Sequence, residues 1–193
     1  MIAIIKYNAG NIISVKNAIE RLGFACVVTD DEKQISDADK VIFPGVGEAS
    51  SAMKYLKDRG LDQLIKALKQ PVLGICLGQQ LMCHFSEEGN TKGFGIFEAN
   101  VRKFPPLDTV PHMGWNTVRL LHPSAIFDEV SENNDVYFIH SYFCERSENT
   151  IAECDYILPF SAAMQKDNFY ALQFHPEKSA DVGEQILKNF LQL

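Results

Sequence analysis

The sequence has little positive charge and lacks any long apolar run. Its 193 residues contain 18 Lys and Arg against 25 Asp and Glu, a formal net charge of −7, so the basic surface of a nucleic-acid binder is missing. No stretch approaches the roughly 18 apolar residues of a membrane-spanning helix. Residues 1–7 have neither the charged start nor the apolar segment of a secretory signal. We therefore expect a cytoplasmic protein that binds neither nucleic acid nor membrane.

Cysteine occurs in an odd number and without close pairs. No two cysteines form a CxxC pair, so neither a disulfide framework nor a zinc ribbon is predicted. Free cysteines are usually small buried hydrophobic residues, and we expect this for all but Cys76. No HExxH or other metal-ligand spacing surrounds the histidines, so we predict no metal. The five cysteines are Cys26, Cys76, Cys83, Cys144 and Cys154.

Strand and helix patterns alternate through the first half of the chain. The apolar runs contain little polar alternation, which predicts a parallel sheet buried on both faces. Residues 95–173 are instead strand-like and broken by turns, and a helix closes the chain. The sequence therefore predicts one three-layer α/β domain, 1–193, with a mostly parallel central sheet and added antiparallel strands. The early strands are predicted at 2–6, 25–29, 41–43 and 71–75.

A cysteine flanked by glycines is the strongest local signal. In Gly74-Ile75-Cys76-Leu77-Gly78 an apolar strand leads in and a predicted helix, 77–85, leads out, as in the nucleophile elbow of hydrolases. The turn is tight, so side chains at the flanking positions would clash. A helix N-terminus beneath the sulfur favours the thiolate. Cys76 is a candidate nucleophile, and a buried core cysteine is the alternative.

A histidine with a carboxylate two residues later follows the predicted strand 170–174. Pro176 favours an extended conformation at His175. Residues two apart in an extended chain point the same way, so Glu177 can hold the imidazole. A thiol nucleophile needs such a base, although a lone histidine is more often structural. Open α/β sheets place their sites at the carboxyl ends of strands, so we predict that Cys76 and His175 act together.

A third turn, Pro44-Gly45-Val46-Gly47, ends the predicted strand 41–43. Its glycines let backbone N–H groups approach a substrate oxygen, as an oxyanion hole requires, although Pro-Gly alone is an ordinary turn. The same glycines allow the peptide between Gly45 and Val46 to present either its C=O or its N–H. A switch in this turn that a docked partner could bias is a hypothesis that rests partly on a family resemblance.

The only tryptophan lies in the segment PHMGWN, 111–116. Such a segment is commonly a loop that enters a strand. It could also anchor a partner, because Trp is enriched at protein interfaces.

Three of these segments together resemble the class I glutamine amidotransferase family: GICLGQQ, PGVG and LQFHPEKS. Within the family, four further segments are similar to glutaminase subunits of imidazole glycerol phosphate synthase, an enzyme of histidine biosynthesis. They are YNAGN at 7–11, KGFGIFEANVRKF, PHMGWN and YFIHSY. The resemblance covers the chain from the first strand to the last helix and implies a flavodoxin-like fold. Ala9 departs from the Pro that is frequent there, which bears only on the stiffness of this loop.

The resemblance implies a role for each matched residue. Cys76 would attack the carboxamide of glutamine to form a thioester, His175 would protonate the departing ammonia, and Glu177 would orient His175. The oxyanion donors would be the backbone N–H groups of Leu77 and of the Gly45–Val46 turn. The residues implied to bind glutamine are Gln80, Glu88, Ser141 and Tyr142. The residues implied to face a partner are Lys178, His112, Met113, Trp115 and Asn116. No cofactor or metal is implied.

The implied partner is a cyclase subunit, a (β/α)₈ protein that forms a heterodimer with the glutaminase. It would use the ammonia to make imidazole glycerol phosphate and an aminoimidazole carboxamide ribonucleotide. One alternative is the glutaminase of another synthase, such as pyridoxal phosphate synthase, which PHMGWN disfavours. A free-standing cysteine peptidase or γ-glutamyl hydrolase is a second, disfavoured by Gln80. A non-enzymatic binding module is a third, disfavoured by the intact Cys, His and Glu.

Overall fold

Thirteen strands and six α-helices make up the structure, a computed structural model that describes residues 1–193. The strands are β1 (Ile2–Ile5), β2 (Cys26–Thr29), β3 (Lys40–Phe43), β4 (Val72–Ile75), β5 (Cys83–Ser86), β6 (Thr91–Lys92), β7 (Phe97–Lys103), β8 (His112–Leu120), β9 (Asn133–His140), β10 (Tyr142–Cys144), β11 (Thr150–Tyr156), β12 (Leu158–Lys166) and β13 (Phe169–Leu172). The helices are α1 (Ile12–Arg21), α2 (Glu32–Ser36), α3 (Ala49–Asp58), α4 (Leu61–Ala67), α5 (Leu77–Met82) and α6 (Ala180–Gln192).

Nine of the strands form one central sheet, in the order β2-β1-β3-β4-β13-β12-β11-β8-β9. The four pairings from β2 to β13 are parallel, and the four from β13 to β9 are antiparallel. A smaller sheet has the order β10-β7-β5-β6. The predicted α/β class is confirmed, with parallel and antiparallel pairings equal in number within the central sheet.

Two apolar cores cover the two faces of the central sheet. One core of 28 buried residues packs the sheet against α1 and α6, and the other, of 27, packs it against α3, α4 and α5. Val72 and Leu73, neighbours on β4, belong to different cores, because successive side chains of a strand point to opposite faces. This two-sided burial explains why β1 and β4 are apolar throughout, and it produces the three predicted layers. No helix combines the length and the apolar character needed to cross a membrane.

The helix predicted over 77–85 is wrong in its second half. It ends at Met82, and Cys83–Ser86 form β5 instead. Backbone N–H groups of Phe94 and Ile96 take the carbonyls of Leu81 and Met82, at 2.7 and 2.8 Å. These carbonyls therefore bond to a distant segment, and the chain leaves the helix there. The strands β5 and β6 and the helix α2 had no predicted counterpart, whereas β10 and β11 lie within the strand-like region predicted over 95–173.

Candidate active site

Three neighbouring parallel strands end at the same edge of the central sheet, and each leads into a segment that the sequence indicated. The turn 44–47 follows β3, Cys76 follows β4, and His175 comes three residues after β13. The pairing registers bring these strand ends level. The topology therefore brings the turn, the cysteine and the histidine together, at the carboxyl edge where open α/β sheets bind ligands.

Cys76 occupies the sharp turn between β4 and α5. Its backbone has φ 53° and ψ −106°, a region that costs a non-glycine residue about 1–3 kcal/mol. A Cβ added at Gly78 would lie 2.0 Å from the carbonyl oxygen of Phe43, so only glycine lets α5 approach β3 this closely. The strand–turn–helix predicted around Cys76 is therefore present, with a strained backbone at the candidate nucleophile.

The imidazole of His175 lies buried against the carboxylate of Glu177. The distance from Nδ1 to Oε1 is 2.8 Å, and the two side chains are 1% and 0% exposed. Burial disfavours the charged imidazole, but the nearby Cys76 thiol and the hydrogen-bonded Glu177 carboxylate outweigh this effect and raise the pKa of His175 to about 10. His175 is thus an imidazolium at neutral pH, stabilised from two sides.

The other ring nitrogen of His175 is not used by the fold. Nε2 is buried and has no hydrogen-bond partner. Buried polar atoms are nearly always paired, so an unpaired one calls for an explanation. A nitrogen that must exchange protons with a substrate provides one, because it has to be available when the substrate arrives.

Asn11 joins the His175–Glu177 pair, although its pattern alone gave it no role in the site. Its side-chain N–H donates to Glu177 Oε1, the same oxygen that His175 approaches, and its Nδ2 lies 3.3 Å from His175 Nδ1. Asn11 has φ 69°, a conformation that asparagine tolerates better than most residues. The available signal was topological, since the loop 6–11 follows β1, the neighbour of β3.

A carbonyl of the turn after β3 is hydrogen-bonded to one of the implied oxyanion donors. The backbone N–H of Leu77 donates to the carbonyl of Gly45 over 3.1 Å. The Gly45 oxygen therefore lies where a substrate oxygen would need that N–H. In this conformation, called closed below, the Leu77 N–H is bound to the turn and is not available to a substrate.

The loop 7–11 braces that turn from outside. The hydroxyl of Tyr7 donates to the carbonyl of Pro44 over 2.7 Å, and the N–H of Gly10 donates to the carbonyl of Val46 over 2.9 Å. A Cβ at Gly45 would lie 2.0 Å from the Tyr7 hydroxyl. One short loop thus contacts both the oxyanion turn and, through Asn11, the histidine–carboxylate pair.

A cavity of about 280 Å³ opens beside Cys76. This is close to the lower end of the ~300–1,000 Å³ typical of small-molecule pockets, and it suits a ligand the size of one amino acid. Val46 and Leu77 contribute to its wall. Burial raises the pKa of Glu88, although a hydrogen bond from the Ala49 N–H opposes the change. The lining includes all four residues implied to bind glutamine, Gln80, Glu88, Ser141 and Tyr142.

Four of the residues implied to face a partner lie on β8 and alternate between its two faces, and the fifth, Lys178, lies after β13. Met113 and Trp115 are 59% and 55% exposed, and Lys178 Nζ lies 5.8 Å from the centre of the Tyr137 ring. His112 is only 3% exposed, so its side chain offers little surface to a partner, and its place at an interface stays a prediction. Strand alternation explains the burial, because His112 and the half-buried Asn116 point to the face opposite Met113 and Trp115.

Comparison with known proteins agrees with this architecture. A family model described as glutamine amidotransferase class-I matches residues 4–193. The imidazole glycerol phosphate synthase subunit HisH of Bacteroides fragilis is 59% identical over 195 residues, covering 100% of this chain and 99% of its own length. The protein of the same name from Pasteurella multocida is 45% identical over 192 residues, covering 99% of this chain and 97% of its own.

Among solved structures, that of PurLQS from Thermotoga maritima matches with a TM-score of 0.74 at 14% identity, covering 99% of this chain and 97% of its own. At that identity the likeness concerns the fold alone. The relatives, in contrast, match over the full length at high identity. The chain therefore belongs to the class I glutamine amidotransferase family and, within it, to the HisH subunits of imidazole glycerol phosphate synthase.

Proposed function

We propose that this chain hydrolyses glutamine with Cys76, His175 and Glu177 and supplies the ammonia to a cyclase subunit. Family membership makes it a glutamine amidotransferase of histidine biosynthesis. One observation carries the proposed mechanism: a buried imidazole has its Nδ1 against a carboxylate and its Nε2 unpaired, at the strand edge that bears a cysteine elbow. A nucleophile, a base and an orienting group are what acyl transfer requires.

In the first half of the reaction the Cys76 thiolate attacks the carboxamide carbon of glutamine. A C–S bond forms, and the carbonyl oxygen becomes an oxyanion. His175 then gives its Nε2 proton to the amide nitrogen, the C–N bond breaks, and ammonia leaves behind a glutamyl thioester. The raised pKa of His175 suits this step, because the ring is already charged when the leaving group needs a proton.

In the second half, water replaces ammonia as the reactant. His175, now neutral, removes a proton from the water as the oxygen attacks the thioester carbon. The C–S bond breaks, glutamate leaves, and the thiolate and the imidazolium are restored. Glu177, held by Asn11, stabilises the imidazolium and keeps Nε2 directed at the reacting atoms.

The cavity beside Cys76 has the composition that glutamine needs. Glutamine carries an ammonium group and a carboxylate at the end opposite its amide. Glu88 is a half-buried carboxylate whose pKa is raised by burial, so a bound ammonium would stabilise its charged form. Ser141 and Tyr142 also line the cavity, and Gln80 Nε2 donates to the Tyr142 carbonyl over 2.9 Å.

The closed oxyanion donor supports control by the partner. Rotating the peptide between Gly45 and Val46 would free the Leu77 N–H and present the Val46 N–H beside it. Absence of one oxyanion donor typically slows a reaction by ~10²–10³, enough to keep the free subunit nearly inactive. Partner contacts at Lys178, Met113 and Trp115 would favour the open turn if they bind that state better.

The test is to measure glutamine hydrolysis by the free chain, by its complex with the cyclase subunit, and by the complex loaded with the cyclase's substrate. We expect a slow free chain and a large acceleration in the loaded complex. A free chain as fast as the loaded complex would favour a free-standing hydrolase instead. Acceleration only by a pyridoxal phosphate synthase would favour the other synthase.

A further inference from the structure

A chain of buried hydrogen bonds beside the cavity is not used by the proposed chemistry. It joins strand β8 to the segment that follows β9. Asn116 Nδ2 lies 3.2 Å from His112 Nε2, and His112 Nδ1 lies 3.1 Å from His140 Nε2. His140 Nδ1 in turn lies 2.7 Å from the carbonyl oxygen of Tyr142. The sheet register places the two histidines directly opposite each other.

The proton positions follow from the last acceptor. A backbone carbonyl can only accept, so His140 Nδ1 carries a proton and donates to Tyr142. Burial lowers the pKa of His140 to about 3 and that of His112 to about 4, so both rings are neutral. His140 Nε2 is then an acceptor, His112 Nδ1 must be its donor, and His112 Nε2 accepts from Asn116. Every bond in the chain has one direction.

Aromatic packing prevents the His112 ring from turning out of this chain. Its centre lies 3.9 Å from the Tyr156 ring and 4.8 Å from the Phe138 ring, in stacked arrangements on both. His140 packs with its centre 5.4 Å from Phe104. Because the rings are held by apolar neighbours, the hydrogen-bond chain has a fixed shape as well as a fixed direction.

The carbonyl at the end of the chain is shared with the cavity. The Tyr142 oxygen also accepts from Gln80 Nε2 at 2.9 Å, and Gln80 Nε2 lies 3.1 Å from Gln173 Oε1. Gln173 Nε2 lies 3.6 Å from Cys76 Sγ. The position of one backbone carbonyl therefore affects both the wall of the cavity and the amide groups that lead to the sulfur.

We propose that His112 and His140 are positioning residues for glutamine binding, which fix the Ser141–Tyr142 segment and, through its carbonyl, the Gln80 amide. The proposal rests on the assignment of this cavity to glutamine. Neither imidazole exchanges a proton with the substrate. Loss of the chain should therefore weaken glutamine binding more than it slows the chemical steps, because His175 is held by its own contacts with Glu177 and Asn11.

The first experiment does not depend on any activity. Nitrogen-15 NMR of the full-length chain at pH 7 reports which imidazole nitrogens carry protons. We expect His112 and His140 both to be neutral with the proton on Nδ1. A proton on Nε2 of either ring, in place of Nδ1 or in addition to it, would overturn the directed chain whatever the chain's substrate is.

The second experiment measures KM and kcat for glutamine in the complex with the cyclase subunit. His112→Phe keeps a stacking ring but has no donor, and His112→Gln places its N–H near the Nε2 position. His112→Asn places its N–H near the Nδ1 position and should restore the bond to His140. We expect the Phe and Gln variants to raise KM about 3- to 10-fold with kcat changed less than about 3-fold, the loss of one buried hydrogen bond. The Asn variant should stay closer to wild type.

The comparison of Asn with Gln remains decisive if the Phe variant does not fold. Equal KM values for Asn and Gln variants, or a fall in kcat at unchanged KM, would contradict a positioning role. A wild-type complex without glutaminase activity would instead defeat the proposed function, while the NMR result would still settle the hydrogen-bond chain.

Discussion

The backbone N–H of Leu77 donates to the carbonyl of Gly45 across 3.1 Å, so the residue after the proposed nucleophile Cys76 already has its N–H bound. Leu77 begins α5 and Gly45 belongs to the turn after β3. Their contact occupies the N–H that the proposed hydrolysis would use to bind the substrate oxygen. The proposed activity of the free chain is therefore limited by a turn that other residues hold in place.

Tyr7 provides a way to test this restraint. Tyr7→Phe removes the hydroxyl that donates to Pro44 and should loosen the closed turn, raising glutamine hydrolysis by the free chain about 2- to 10-fold, the value of one hydrogen bond. The rate of the loaded complex should change less than about 2-fold. Steady-state assays of both forms check this, with Tyr170→Phe as the matched control, since its ring packs on Phe190 away from the turn. Equal loss of rate in both forms would count against the restraint.

Glu177 and His175 should differ in the size of their effects. Glu177→Gln keeps the shape of the side chain but loses the charge that stabilises the imidazolium, whereas His175→Ala removes the proton carrier. We expect the larger loss of glutamine turnover from His175→Ala, measured in the assembled complex. Equal losses, or the reverse order, would contradict the roles assigned to the two residues.

Stability should also depend on pH through His175. Its pKa in the folded chain is about 10, above its ordinary value of 6.5. Its contribution to the free energy of unfolding is therefore fully present below about pH 6.5 and lost as the pH rises through about 10. We would measure urea unfolding at intervals from pH 6 to pH 10. The free energy of unfolding should fall less over this range for Glu177→Gln than for the wild type. An unchanged pH profile would show that Glu177 does not hold the imidazolium.

Asn11 should matter through its amide rather than its backbone. Asn11→Gly tolerates the φ of 69° but removes the N–H that donates to Glu177, so kcat in the complex should fall about 10-fold, as expected for a hydrogen bond to a charged group. Asn11→Ala should lose the same activity and also stability, because alanine resists that backbone conformation. Kinetics with thermal unfolding separate the two effects. Full activity in the glycine variant would remove Asn11 from the site.

Local patterns were sufficient for the parts of the site that lie next to strand ends. The glycines around Cys76 and the proline after His175 impose local backbone conformations that the sequence alone reveals. Parallel strands then bring the strand ends that carry these residues together. The contact of Asn11 with Glu177 joins residues 166 apart in the sequence. No local pattern specifies it, because it depends on which strands become neighbours.

The wrong helix prediction and the unexpected burial of His112 have the same cause. Residues 77–85 have a helical apolar pattern, but the carbonyls that would continue α5 are taken by the segment around Phe94. His112 belongs to a segment with an exposed Trp115, but the strand alternation that turns it inward is set by the pairing of β8 with β9. In both cases a distant hydrogen-bond partner decides what the local sequence leaves open.

The most direct measurement of the central claim follows the amide nitrogen of glutamine in the complex with the cyclase subunit and its substrate. With glutamine labelled by nitrogen-15 at the amide, the wild-type complex should hydrolyse glutamine and place the label in the cyclase product. Cys76→Ala should fold, bind the cyclase subunit, consume no glutamine and still support synthesis from added ammonium salts. Continued hydrolysis of glutamine by the Cys76→Ala complex would contradict the account.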